Sequence, residues 1–348
     1  MANVKKMRVA MVGVGGFGGY RRDRMRETGL FEIVAAYDLN AEALANCQKQ
    51  DGAKPAASYE ELLKTPGIEA MIISTGGKFH AEQAIAAMKR GLHVFVEKPL
   101  CATPAENKAL LAMQKKTGLV AGCGHNDHSH DEASCKIRSM IQDGSFGKVA
   151  SFDMIVAHSG GLEIKPGEWR GDPKKNPGGM LFQCGCHGLH ELMFLFGPIE
   201  SVSCMMRYDV HTTLTADVAN CILKFRSGLI GTLSAYHVTP YRHTFNIYGT
   251  KMNLYTDHRA PSYGDPSYAA VQYRKCCQAE PHEPIKLTMG DGCTTVTDVC
   301  GNIKSFYKAV RKGGECYPSL KDGARAVAAV FAAEESAKSG KTVKVPKI

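Results

Sequence analysis

The sequence predicts an α/β chain in two parts: a doubly wound parallel sheet, then an α+β domain on a mostly antiparallel open sheet. Three observations carry this. Over the first 124 residues short apolar runs alternate with helical stretches, the rhythm of βαβ units. Beyond about residue 150 several runs alternate apolar with polar positions, as an antiparallel sheet with one covered face requires. A length of 348 residues leaves room for two domains. We place them at 1–124 and 125–348, with the C-terminal helix packing back on the first.

The elements follow in order. A run at 7–12 is closed by glycines, and a second at 32–37 ends at Asp38. Runs at 70–74, 92–96 and 119–123 continue the set, with helical stretches at 79–90 and 104–117 between them. Thr103 followed by Pro104 is an N-cap with proline at the first helical position. Right-handed crossovers then give a doubly wound sheet. In the second part 151–157, 199–208, 217–225, 229–237 and 242–249 read as strands, and 301–310 and 320–339 as helices. Residues 261–297, rich in Pro, Gly and Tyr, show no period and read as an irregular functional or partner-contacting loop.

Composition excludes several classes. Apolar residues make up 44% and charged residues 22%, which rules out a disordered chain, a fibre or a coiled coil. No apolar run reaches the length of a membrane span. The net charge of +9 is spread out, with local runs only at 21–24 and 165–175; no basic stripe with aromatic platforms points to nucleic acid. The 13 cysteines are odd in number and scattered, so they read as reduced thiols rather than a disulfide framework. Cys184-x-Cys186 and Cys276-Cys277 lack a second pair at zinc spacing. The N-terminus shows no leader pattern, and we expect a cytoplasmic protein.

Gly13-Val14-Gly15-Gly16-Phe17-Gly18 fits G-x-G-x-x-G, with a strand before it and a helix after it. Asp38 lies 20 residues beyond Gly18, the distance expected of a ribose-hydroxyl acceptor. Gly13 permits the tight turn, Gly15 the approach to a pyrophosphate, and Gly18 close helix–strand packing. The helix N-terminus supplies N–H groups for phosphate. A carboxylate at Asp38 repels a 2′-phosphate, and Leu39-Asn40-Ala41 offers no Arg to receive one, so the expected cofactor is NAD. Arg21 and Arg22 are expected on an exposed helix face.

Glu97-Lys98-Pro99 ends the strand at 92–96, at the edge where open α/β sheets bind ligands. With the segment from Ser74 to Ala84 and His93 to Leu100, the chain resembles the Gfo/Idh/MocA family of glucose–fructose oxidoreductase and inositol dehydrogenases. The likeness extends through Trp169-Arg170-Gly171-Asp172-Pro173, Gly178-Gly179 and on to His187. It implies a Rossmann domain, a nicotinamide cofactor, and polyhydroxy substrates held between the domains. It makes Lys98 the site lysine, acting as electrostatic stabiliser or proton relay, and implies a cis Lys98–Pro99 bond. It assigns Gly16, Phe17, Ser74, Thr75, His80, Glu97, Asn126, Trp169 and Arg170, beside the fingerprint residues, to the cofactor.

Many members carry D-x-x-x-H-x-x-D; here the positions read Gln183, His187 and His190. A helix running through Phe196 would set Gln183 and His187 on one face. His187 is the expected general base for alcohol oxidation and general acid for ketone reduction, its ordinary range suiting neutral pH. Gln183 cannot favour the charged imidazole as an Asp would, but it can hold a sugar hydroxyl. His125-Asn126-Asp127-His128-Ser129-His130 is rich in imidazole. His128 or His130 with His187, His190 and Glu191 offers a zinc- or manganese-type donor set; the preferred reading is sugar-binding imidazoles and no metal. Tyr236, His237, Tyr241, Arg242 and His243 line a pocket or a subunit contact, Arg242 and His243 being weaker substrate candidates.

The expected function is an NAD-dependent dehydrogenase of a sugar or cyclitol, a homodimer or homotetramer. A redox-neutral enzyme working through a transient ketone (glycoside cleavage, elimination or epimerisation) is the alternative. A cofactor-binding regulator is the third, disfavoured by Lys98 and His187.

Overall fold

The computed structural model describes residues 5–258, 268–275, 285–288 and 300–348. The chain divides into two compact units, Met1–His125 with Val299–Ala324, and Asn126–Asp298 with Arg325–Ile348.

The first unit is built on six parallel strands. These are β1 (Met7–Val12), β2 (Phe31–Tyr37), β3 (Lys54–Pro55), β4 (Ala70–Ile73), β5 (His93–Val96) and β6 (Ala121–Cys123), in the order β3-β2-β1-β4-β5-β6. Every residue of β4 is buried, as a strand covered on both faces requires. The order reverses between β1 and β4, which is the switch point where such sheets bind ligands. The helices are α1 (Phe17–Thr28), α2 (Ala41–Asp51), α3 (Tyr59–Leu62), α4 (Gly77–Lys89) and α5 (Pro104–Thr117). Asn40 caps α2 through the N–H groups of Glu42 and Ala43, and Thr103 with Glu106 forms a capping box on α5. By contrast α1 and α4, which leave β1 and β4, have no side-chain cap and no acid in the first turn.

Two expectations are corrected here. Arg21 and Arg22 are not exposed; they are 2% and 3% exposed. Helix α1 carries few apolar side chains, so its inner face is completed by arginine stems whose charges are paired. Arg22 Nε donates to Asp51 Oδ2 at 2.5 Å, and Arg21 Nε to Glu97 Oε1 at 2.6 Å. Secondly, α8 (Gly301–Lys312), which the sequence reading placed in the second domain, groups with the first unit. Phe306 meets Phe95 edge-on at 5.7 Å and Tyr307 meets Phe31 at 5.7 Å. An apolar helix face announces burial in a sequence but not the surface that buries it.

The second unit holds a nine-stranded sheet in the order β14-β13-β12-β11-β7-β10-β9-β8-β15. Its strands are β7 (Val149–Ala157), β8 (Ile199–Arg207), β9 (Val218–Phe225), β10 (Ile230–Tyr236), β11 (Arg242–Gly249), β12 (Met252–His258), β13 (Tyr268–Lys275), β14 (Ile285–Thr288) and β15 (Val343–Lys344). Among the described residues of this sheet only β10 and β7 pair in parallel; the other ladders are antiparallel. β13 and β14 lie inside the stretch expected to be irregular, because ladder partners, β12 for β13 and β13 for β14, make strands of segments with weak periodicity. The rest of that stretch, with Cys276-Cys277, lies outside the described residues. Helices α6 (Glu132–Gln142) and α7 (Cys186–Phe196) accompany this sheet, and α9 (Leu320–Ser339) crosses the division between units. On β9 and β10 buried and exposed residues alternate strictly at the start, leaving Ile222 and Ile230 about half exposed. Among the described residues no helix is long and apolar enough to cross a membrane.

Candidate functional site

The glycine-rich loop is pinned from both sides. A Cβ at Gly13 would stand 2.7 Å from the Ser74 carbonyl, and one at Gly18 only 2.1 Å from the Gly13 oxygen. No other side chain lets β1, β4 and α1 approach so closely. Asp38 Oδ2 accepts the Val14 and Gly15 N–H groups at 2.7 and 3.1 Å, and its Oδ1 accepts the Asn40 N–H at 2.8 Å. The uncapped starts of α1 and α4 both follow strands at the switch point, so unfilled backbone donors and their dipoles gather there. The Ser74 hydroxyl at the end of β4 is buried with no partner among the described residues. These features suit a dinucleotide: open helix N-termini for a pyrophosphate and a carboxylate for a ribose.

Lys98 follows β5 and is half-buried, and its bond to Pro99 is cis, as the resemblance implied. Two buried neighbours hold this turn. His80 on α4 is 1% exposed, with Nδ1 2.9 Å from the Pro99 carbonyl and Nε2 2.8 Å from the Thr75 carbonyl. Burial lowers its pKa more than the two carbonyls raise it, so it bridges strand ends chiefly as a neutral ring. Thr75 Oγ1 in turn donates to Gln83 at 2.7 Å. Glu97 is 3% exposed and answers Arg21, whose Nη1 also donates to Asn302 Oδ1 on α8 at 3.0 Å. Asn302 Nδ2 donates onward to the His125 carbonyl at 2.7 Å. A Cβ at Gly124 would stand 2.2 Å from Glu97 Oε2, so only glycine leaves room for that carboxylate.

In the second unit one pocket is lined by Asn126, His128, His187 and His243, all anticipated, together with Cys184 and Glu191. A Cβ at Gly188 would stand 2.7 Å from Met154 Sδ, so α7 lies close against the sheet between His187 and Glu191. The expected helix from Gln183 is corrected. Residues Leu181–Gly185 form a π-helical turn and α7 begins at Cys186. A π turn inserts a residue into the helical count, and Cys184 rather than Gln183 joins His187 along the pocket. Cys184 Sγ lies 3.5 Å from His158 Nε2.

His128 is 1% exposed, with Nδ1 3.0 Å from Ser134 Oγ. Burial, then His190 and His243, hold it well below the usual imidazole range, so it is neutral at pH 7. His190 donates to the Asn126 carbonyl at 3.2 Å, and its ring centroid is 5.4 Å from that of His128. His130 pairs with Asp127 at 2.9 Å. His237, beside His158, is lowered to about 4 by burial. Burial and then Asp131 push the Glu191 carboxyl up to about 8. Arg170 is exposed over Trp169 at 4.8 Å, and Arg242 is exposed at the start of β11; neither lines the pocket. Sequence reasoning missed Cys184 and gave Glu191 no part in holding substrate. A signal for Glu191 existed: it is the one carboxylate of α7, four residues after His187. Among the described residues no three His, Cys, Asp or Glu side chains gather as a metal-ligand set.

Residues 7–125 match the model of an oxidoreductase family with an NAD-binding Rossmann fold, and residues 135–255 match the GFO/IDH/MocA C-terminal domain. The chain is similar to a 4-carboxy-2-hydroxymuconate-6-semialdehyde dehydrogenase of Sphingobium, 30% identical over 66% of this chain and 71% of the relative. It is similar to a myo-inositol 2-dehydrogenase of Thermotoga maritima, 22% identical over 98% of this chain and 99% of the relative. A solved levoglucosan dehydrogenase, in complex with NADH and levoglucosan, shares the fold with a TM-score of 0.84 at 22% identity, covering 99% of this chain and 100% of that one.

Removing one partner of the buried Arg21–Glu97 pair strands the other charge. Arg21→Ala is expected to lower stability by about 3–5 kcal/mol in urea titration. Arg21→Ala with Glu97→Gln should be less destabilised than the single variant, because no charge is then left unpaired. A double variant no more stable than Arg21→Ala would refute this assignment.

Proposed function

The chain belongs to the GFO/IDH/MocA oxidoreductase family, whose N-terminal part is an NAD-binding Rossmann fold, and from that premise we propose an NAD-dependent dehydrogenase acting on a secondary CH–OH group of a sugar, sugar derivative or cyclitol. The observation that carries the reading is the pocket of the second unit, where His187 shares a wall with Asn126, His128 and His243. Imidazoles and an amide offer both donors and acceptors, which a polyhydroxy ligand needs in number. The myo-inositol and levoglucosan named for the similar proteins belong to this chemical class.

In this reading the nicotinamide, when bound, exchanges the hydride. Lys98 holds the oxygen of the reacting hydroxyl, its ammonium offsetting the negative charge that develops there. His187 takes the hydroxyl proton in oxidation and returns it in reduction. Asn126, His128, Gln183, His190, Arg170, Arg242 and His243 hold the remaining hydroxyls. Asp38 accepts from the adenosine ribose, and Gly13, Gly15, Gly16, Phe17 and Gly18 present backbone to the pyrophosphate. Ser74, Thr75, His80, Glu97, Asn126, Trp169 and Arg170 border the cofactor. A second reading is favoured by Glu191, an acid that keeps its proton near pH 7: a redox-neutral reaction through a transient ketone. Steady NADH release supports the first reading, and turnover without added NAD the second. We also propose self-association through the open face of the second sheet, where Ile222 and Ile230 are exposed.

Three outcomes are expected. With a panel of myo-inositol, levoglucosan, D-glucose and 1,5-anhydro-D-glucitol, NADH absorbance should rise, and Lys98→Ala and His187→Ala should each lower kcat/KM by about 10²–10⁴-fold with NAD affinity little changed. Unchanged turnover in either variant removes the role given to it. NADH should bind more tightly than NADPH in a fluorescence titration, since Asp38 repels a 2′-phosphate; equal affinity would contradict this. Sedimentation at micromolar concentration should show a dimer or tetramer, and a monomer there sinks the proposed association.

A further inference from the structure

We propose that Glu191 is a second proton-transfer group of the pocket, removing and returning a proton on the carbon beside the one that exchanges hydride. The inference rests on the dehydrogenase reading, because it needs the ketone which that reaction forms.

Geometry comes first. His187 and Glu191 stand four residues apart on α7 and line the same pocket. Side chains at that spacing are neighbours on one helix face. A group beside the hydroxyl base is therefore placed to reach the adjacent carbon of the same ring. The second observation is independent. His128 lines this pocket at 1% exposure, and its Nε2 has no partner among the described residues. A buried polar atom left so is costly unless a ligand completes it, so the wall next to Glu191 is built for a polar ligand.

The chemistry of Glu191 fits. It is 6% exposed and the one carboxylate of α7. Burying a carboxyl there lowers stability and makes sense where its protons are used. Burial and Asp131 push it up to about 8. Its carboxylate is therefore a stronger base than a surface carboxylate and is still reached near neutral pH.

The step balances without an added oxidant. After oxidation His187 carries the hydroxyl proton. The Glu191 carboxylate takes hydrogen from the carbon next to the carbonyl, and that C–H electron pair becomes the C=C bond of an enol. The carbonyl π pair moves to oxygen, which takes the proton from His187. Reversal returns hydrogen to carbon and regenerates the ketone.

The test runs the full chain with NAD in D2O on the panel polyol that forms NADH fastest. Deuterium at the carbons flanking the carbonyl is read by NMR, against the isolated ketone without enzyme. The wild type is expected to label that position at least about tenfold faster than the enzyme-free control. Glu191→Gln, which keeps the shape, should lower the ratio of label incorporated to NADH formed by at least about tenfold. A packing role would move both readouts together, and Glu191→Asp should recover part of the labelling. Wild-type ketone labelled no faster than the control overturns the inference and leaves the dehydrogenase reading standing, as does Glu191→Gln that labels like wild type. Absence of NADH with every panel member sinks the dehydrogenase reading, and this inference with it.

Discussion

The first unit is organised around one buried ion pair. Arg21 on α1 and Glu97 at the end of β5 meet at 2.6 Å with side chains 2% and 4% exposed. Two charges taken out of water cost several kcal/mol each, and only close geometry with further hydrogen bonds offsets this. Here the further bonds come from Asn302, which links the arginine to the His125 carbonyl, and the guanidinium also lies 5.0 Å from the Phe95 ring centre. Because neither charge tolerates being left alone, α1, β5, α8 and the end of β6 keep one arrangement. The glycine-rich loop begins α1 and Lys98 follows Glu97, so the pair ties that loop to the turn at Lys98.

The pocket of the second unit is governed by the opposite device. Here ionisable groups are packed until they lose their charge. His128 sits among His190 and His243 and stays neutral, and Glu191 faces Asp131 and keeps its proton. A neutral imidazole both gives and accepts a hydrogen bond, and a protonated carboxyl can donate as well. Such walls suit hydroxyls and ketones better than they suit anions. The π turn before α7 contributes by rotating Cys184 toward this wall, with Gly188 holding the helix close to the sheet.

Much of this was legible in the residues. The six-residue glycine pattern, the acid 20 positions on and the capped helix at Thr103 depend on neighbours close in sequence, and the structure reproduces them. Family resemblance led to the cis Lys98–Pro99 bond in the same way. Of the proposed catalytic and substrate residues, His187, Asn126, His128 and His243 share a pocket, while Arg170 and Arg242 stand exposed. Nothing local separates those two sets. A histidine and an arginine in a polar segment look alike until the sheet register decides which of them turns inward.

What the sequence carried was therefore local and periodic: the fold class and the dinucleotide loop, while the expectation of Lys98 and His187 as reactive groups came from the family resemblance. Tertiary structure decided where charge is hidden. It buried Arg21 and Arg22, gave α8 to the first sheet, made strands of 268–275 and 285–288, and set Glu191 beside His187. The reason is that burial and pairing depend on residues distant in the chain, as with Arg21 and Asn302, which lie 281 positions apart. A pattern of neighbouring residues carries no record of such partners.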